Sequence, residues 1–103
     1  MAMDFNVPEV IVEAQQTVSD TALALSDFTG ITAANVAASS KLRLVVNTNA
    51  IRLFYGGTTP TTSNGIRVAA NYEFVLYGSN NIANFEIIRD AAADSVVVAV
   101  LEG

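Results

Sequence analysis

The chain contains no cysteine, no histidine and no tryptophan. Without thiols there is neither a disulfide nor a thiolate nucleophile. Without imidazole there is no zinc site of the usual kind and no histidine acid–base catalyst. A cysteine-free chain is compatible with any redox compartment. Charge is scarce too: 15% of the 103 residues are charged, against roughly a quarter in an ordinary soluble domain. Basic charge is missing altogether from the first 40 residues, which hold Asp4, Glu9, Glu13, Asp20 and Asp27. The rest of the chain balances Lys41, Arg43, Arg52, Arg67 and Arg89 against Glu73, Glu86, Asp90, Asp94 and Glu102. Nucleic-acid binders need clustered Lys and Arg to displace counterions, so no direct DNA or RNA partner is expected. No apolar run approaches the roughly 18 residues of a membrane helix, and no membrane partner is expected. The start "MAMDFNVPEVIVEAQQ" lacks a basic region and a long apolar stretch. It reads as no signal peptide, and thus as a soluble product of the cytosol.

What the chain does have is apolar content, 51% of its residues. A single domain of this length must hide that surface behind neutral polar residues or against other subunits, and Thr, Ser and Asn are abundant. The apolar residues recur with a period of two. "KLRLVVN" sets Leu42, Leu44 and Val46 on one side and Lys41, Arg43 and Val45 on the other. "AIRLFYG" does the same with Ile51, Leu53 and Tyr55 opposite Arg52 and Phe54. The Asn-rich turn between these two runs predicts a hairpin. Tyr72, Phe74 and Leu76 alternate with Glu73, Val75 and Tyr77, and Phe85 and Ile87 with Glu86 and Ile88. Earlier in the chain, Val10, Val12 and Ala14 oppose Ile11 and Glu13 behind Pro8, and Leu23, Leu25 and Phe28 point to a core. "VVVAVLE" (96–102) is apolar almost throughout and predicts a central strand or a subunit contact. "TGITAANVAASSK" reads as a loop with one helical turn that Thr32 would cap.

Six to eight short strands with almost no helix predict an all-β protein: a single small antiparallel β-sandwich, jelly-roll-like or Ig-like. The division expected is an extended acidic N-terminal arm over residues 1–19 and the sandwich over 20–103.

No catalytic constellation stands out. "GGTTPTTSNG" has the glycines of a phosphate loop but no Lys, and a strand rather than a helix follows it, so it reads as a strand connection. A contact with a neighbouring subunit is its one functional reading. Glu73 and Glu86 are the candidates for a glycosidase-like carboxylate pair, on strands that would be neighbours. Salt bridges to Arg52, Arg67 or Arg89 account for them more simply. Asp90, Asp94 and Glu102 lack the dense spacing of a calcium loop. Ser and Thr have no activating base. The expectation is therefore no catalytic residue, no metal, no cofactor and no enzyme activity.

The order "TALALSDF", "KLRLVVNTNAIRLFYGG", "TTSNGIRVAANYEFVLYG", "IANFEIIRDAAADSVVVAVLEG" resembles a group of small virion proteins of tailed bacteriophages. The resemblance spans residues 20–103 and consists of strand and turn patterns. It implies a structural assembly protein of the virion, a capsid decoration or cement protein made in the host cytoplasm. The alternatives are a neck or tail accessory protein, or a carbohydrate-binding module of host adsorption stacking sugars on Tyr55, Tyr72 or Tyr77. Such a protein would bind the major capsid protein or another virion protein as a homo-oligomer, a trimer being favoured. Its contacts are expected at Phe5, Val10, Ile11 and Val12 of the arm, at Tyr55 and Tyr77, and at Val98 and Val100 of the last strand. The arm would add a strand to a neighbour's sheet.

Overall fold

The computed structural model describes residues 9–91 and 93–103. Eight strands form: β1 (Val10–Val18), β2 (Leu23–Ala24), β3 (Lys41–Val46), β4 (Ile51–Phe54), β5 (Ile66–Val68), β6 (Glu73–Tyr77), β7 (Glu86–Arg89) and β8 (Ser95–Glu102). They make two four-stranded antiparallel sheets, ordered β1-β8-β3-β6 and β2-β7-β4-β5. The pairs β1·β8, β2·β7, β3·β6 and β4·β5 are nested about the middle of the chain, which is therefore a long hairpin rolled up on itself. This is the eight-stranded jelly roll, the first of the two sandwich types the alternation allowed.

The tip of the rolled hairpin is the Gly/Thr-rich connection between β4 and β5, closed by the Thr61–Asn64 bridge. It is a strand connection, as its composition predicts. Its last residue, Gly65, has φ of +140°, and a Cβ there would lie 3.2 Å from both Arg52 Cβ and the Leu53 carbonyl oxygen. Gly65→Ala is therefore expected to cost about 1–3 kcal/mol of stability, read from urea unfolding. The corresponding change at Gly56, which has open space around it and no positive φ, is expected to cost less than about 0.5 kcal/mol.

The predicted β3–β4 hairpin does not form: β3 and β4 lie in different sheets. The Asn-rich turn is tied instead to the start of β8. Asn47 N–H donates to the Val96 carbonyl (2.9 Å), Val96 N–H donates to Thr48 Oγ1 (2.8 Å), and Asn49 Nδ2 donates to the Asp94 carbonyl (2.9 Å). Those bonds carry the chain from one sheet across to the other. Leu42, Leu44 and Val46 then belong to one layer and Ile51 and Leu53 to the other, all fully buried.

The core fills the space between the sheets. Leu25, Phe28, Ile82, Phe85, Ile87, Val97, Ala99 and Leu101 join the residues just named in one cluster. Two short helices cap it. One, α1 (Ala33–Ala38), is the turn expected from the sequence; Asn35 N–H donates to Thr32 Oγ1 (3.1 Å) and Thr32 N–H to Asn35 Oδ1 (2.9 Å). The other, α2 (Ser79–Ala83), was not expected and buries Ile82. Residues 10–18, placed by the sequence reading in an extended arm, are extended but pair with β8 of their own chain. Residues 1–8 of that arm lie outside the described residues.

Candidate functional site

Pairing and alternation decide what the outer side of the β1-β8-β3-β6 sheet displays. With Leu42, Leu44, Val46, Val97, Ala99 and Leu101 turned inward, the opposite parity turns outward: Lys41, Arg43 and Val45 on β3, Val96, Val98 and Val100 on β8. On β6 the outward residues are Glu73, Val75 and Tyr77, and on β1 they are Glu13, Gln15 and Thr17. The three valines of the central strand β8 are half-buried, Val75 is 37% exposed and Tyr77 is 63% exposed. Val98 lies opposite Val45 on one side and Gln15 on the other. The face is thus an apolar centre bordered by polar residues on β1.

Apart from Glu13 on β1, its charges are paired among themselves. The Arg43 guanidinium donates to Glu73 Oε2 (3.0 Å) and sits 3.7 Å from Glu102 Oε1, while Lys41 Nζ is 3.9 Å from Glu102 Oε2 and 5.6 Å from the centre of the Tyr77 ring. The hydrogen bond and the charge of Glu73 raise the Arg43 pKa, keeping it a fixed cation. On the other sheet, Asp90 takes hydrogen bonds from Arg52 Nε (2.7 Å) and Arg67 Nε (2.9 Å). These bonds, Arg67 first and then Arg52, hold its carboxyl below the ordinary range. Asp94 takes Arg89 (2.6 Å). Where the two sheets end in β5 and β6, a groove of about 320 Å³ is lined by Arg67, Val68, Ala69, Tyr72, Glu73 and Phe74.

The sequence-predicted residues fall in several places. Glu73 and Glu86 are not neighbours: β6 and β7 belong to different sheets, and Glu86 lies near Thr59 rather than near a second carboxylate. Among the described residues no group of three or more Asp, Glu, His or Cys is placed to hold a metal ion. Tyr55 is half-buried against the core, its ring centre 6.2 Å from that of Phe74, which leaves no sugar platform there. Tyr72 is exposed but precedes β6, with parity opposite to that of Tyr77. Val98, Val100 and Tyr77 come together on the outer face. Val10 is exposed at the start of β1; Ile11 is half-buried within the register shift between Val10 and Val12, and Val12 packs on the core. Phe5 lies outside the described residues. Val45, Val75, Val96 and Arg43, which share this face, were not singled out by sequence. Their parity was readable, but the neighbour relations that join them were not.

No family model matches the chain, and no curated protein matches it. Among solved structures, the fold is similar to that of a cupin-2 domain containing protein from Shewanella frigidimarina NCIMB 400. The TM-score is 0.51 at 9% identity, over 99% of this chain and 85% of that one. This finding overturns the virion reading. The strand-and-turn pattern that carried it is that of a jelly roll shared with a cupin-2 domain protein, so it belongs to the fold and not to a role. The expected roles in capsid decoration or cementing, at the neck or tail, and in glycan adsorption are withdrawn with it.

Proposed function

We propose that this chain is a non-catalytic assembly module, a jelly roll that works as a homo-oligomer joined through the β1-β8-β3-β6 sheet. The observation that carries this reading is the run Val96, Val98 and Val100 on a central strand, flanked by Val45 and the exposed Val75 and Tyr77, on the side away from the core. A surface with so little charge elsewhere has few other ways to hide apolar area, and a second copy brings a face of matching chemistry. The ion pairs on the face are satisfied within one chain, so bringing two copies together strands none of Lys41, Arg43, Glu73 and Glu102, and Glu13 stands on the polar β1 border of the apolar centre.

Sedimentation equilibrium of the wild type and of Val98→Lys tests the reading. The substitution places an ammonium in the centre of the face while leaving the inward residues untouched. The expected result is a wild type heavier than one chain and a variant whose dissociation constant is raised at least about tenfold, with unchanged far-ultraviolet dichroism. A wild type that sediments as one chain at all concentrations contradicts the proposal.

A further inference from the structure

We infer that a second contact, distinct from the covered face, is made edge to edge: the free edge of β6 pairs antiparallel with β6 of a second copy, about a two-fold axis through Val75. This inference rests on the self-association proposed above and adds to the covered face a second contact of stated strand and symmetry.

The direction of every backbone group on β6 follows from its ladder with β3. Val46 N–H donates to the Tyr72 carbonyl (3.0 Å), and Gly78 N–H donates to the Ser40 carbonyl (3.0 Å). In an antiparallel pair, bonded and non-bonded positions alternate, so Phe74 and Leu76 spend their backbone groups on β3, as do the Tyr72 carbonyl and the Gly78 N–H. Glu73, Val75 and Tyr77 then point theirs away from β3, and no strand lies beyond β6 among the described residues. Of those groups, the Tyr77 carbonyl accepts from Asn81 Nδ2 (3.0 Å).

Sheet edges are commonly blunted by brevity, bulges, Pro or Lys. The other edges here follow that rule: β2 has two residues, β5 has three, and β1 carries a register shift and the polar side chains Glu13, Gln15 and Thr17. The five residues of β6, Glu-Phe-Val-Leu-Tyr, have no Pro, no Lys and no bulge. It is a regular edge with exposed apolar side chains, guarded at its end by Asn81 Nδ2 on the Tyr77 carbonyl.

Its sequence is complementary to itself. Setting Val75 against Val75 of the second copy brings Glu73 opposite Tyr77. All three residues with outward backbone groups then meet one another, so Val75 exchanges both its bonds with Val75 and Glu73 exchanges both with Tyr77, whose carbonyl accepts on its second lone pair beside Asn81 Nδ2. The side chains agree with the backbone. Lys41 lies over the Tyr77 ring, so the Glu73 carboxylate of one copy faces a tyrosine carrying a cation on the other. The two sheets become one, and their outer valine faces become continuous. Such a contact is isologous and closes as a pair, in place of the ring of three expected from the sequence.

The test is Val75→Pro. Proline removes an N–H that makes no bond to β3, and an edge position of that kind tolerates it. The expected result is dissociation weakened-edge behaviour: a dissociation constant raised about a hundredfold, with dichroism and unfolding midpoint close to wild type. Val75→Lys, which keeps the N–H and adds an edge lysine, is expected to act in the same direction and serves where the proline variant folds poorly. In the wild type, deuterium exchange at the Val75 amide is expected to slow as concentration rises. An oligomer that both Val75 variants leave intact while Val98→Lys dissolves it overturns the edge inference and leaves the assembly reading standing, as does a three-fold mass. A wild type that is a single chain at every concentration overturns both.

Discussion

Phe85→Ala is expected to remove about 3–5 kcal/mol of stability, the largest effect of any single change considered. Phe85 is fully buried in the core cluster, and its N–H donates to the Ile82 carbonyl (3.2 Å), so it joins the end of α2 to the start of β7. Alanine would leave a cavity between the two sheets that neither can close without breaking strand pairing. A domain of this size holds only about 5–15 kcal/mol in total, so the thermal midpoint is expected to fall by on the order of 15 °C or more. Urea unfolding and calorimetry both read this. A loss below about 1 kcal/mol would mean that Phe85 does not occupy the interior.

Asp90→Ala is expected to cost about 2 kcal/mol near neutral pH. Its two oxygens hold one arginine from β4 and one from β5, and its own N–H donates to the Ala50 carbonyl (3.0 Å). One carboxylate thus ties the innermost hairpin of the roll to the end of β7. The figure is kept below that of a fully buried pair because Arg67 is about half exposed and shares its charge with water. The pH dependence has a definite sign. The carboxyl is held below its ordinary 3.8 by the hydrogen bonds from Arg67 and then Arg52. The unfolded chain therefore takes up this proton before the folded one does as pH falls. The stabilisation is complete above the unfolded value and is lost as pH drops through the lowered folded value. Below pH about 4 the wild type is expected to lose stability more steeply than Asp90→Ala, so that the difference between them shrinks in acid. A difference that stays constant down to pH about 2 would place the loss outside this ion pair.

Much of the fold is legible in the alternation of side chains. Leu42, Leu44 and Val46, Ile51 and Leu53, and Phe85 and Ile87 are inward residues both by sequence and by structure. The central position of the last strand is legible as well, because a run of valines on both sides fits only a strand covered by neighbours. The connections are another matter. "NTNA" has the chemistry of a tight turn, yet its amides find partners on β8, some forty-five residues away. Short-range rules cannot see a partner at that distance. Helix α2 is hidden for a similar reason: five residues of Ser, Asn, Ile and Ala carry no amphipathic period, and burial of Ile82 holds them.

The candidate face was half legible. Val98, Val100 and Tyr77 follow from apolar content and parity, but their meeting with Val45 and Val75 depends on β3 lying between β8 and β6. The ion pairs are legible by type and not by partner. Glu73 was offered Arg52, Arg67 or Arg89 and takes Arg43, the residue two strand positions from its own register partner. The virion role is overturned at a different level. It rested on a succession of strands and turns, which is a property of the fold, and a fold of this kind hosts many roles.

The proposed function stands or falls on whether the apolar face of the β1-β8-β3-β6 sheet is covered by another copy of the same chain. Light scattering on the wild type across a dilution series measures this directly. A mass above the 10.8 kDa of one chain is expected at high concentration, falling toward that value on dilution. A mass of 10.8 kDa throughout would contradict it.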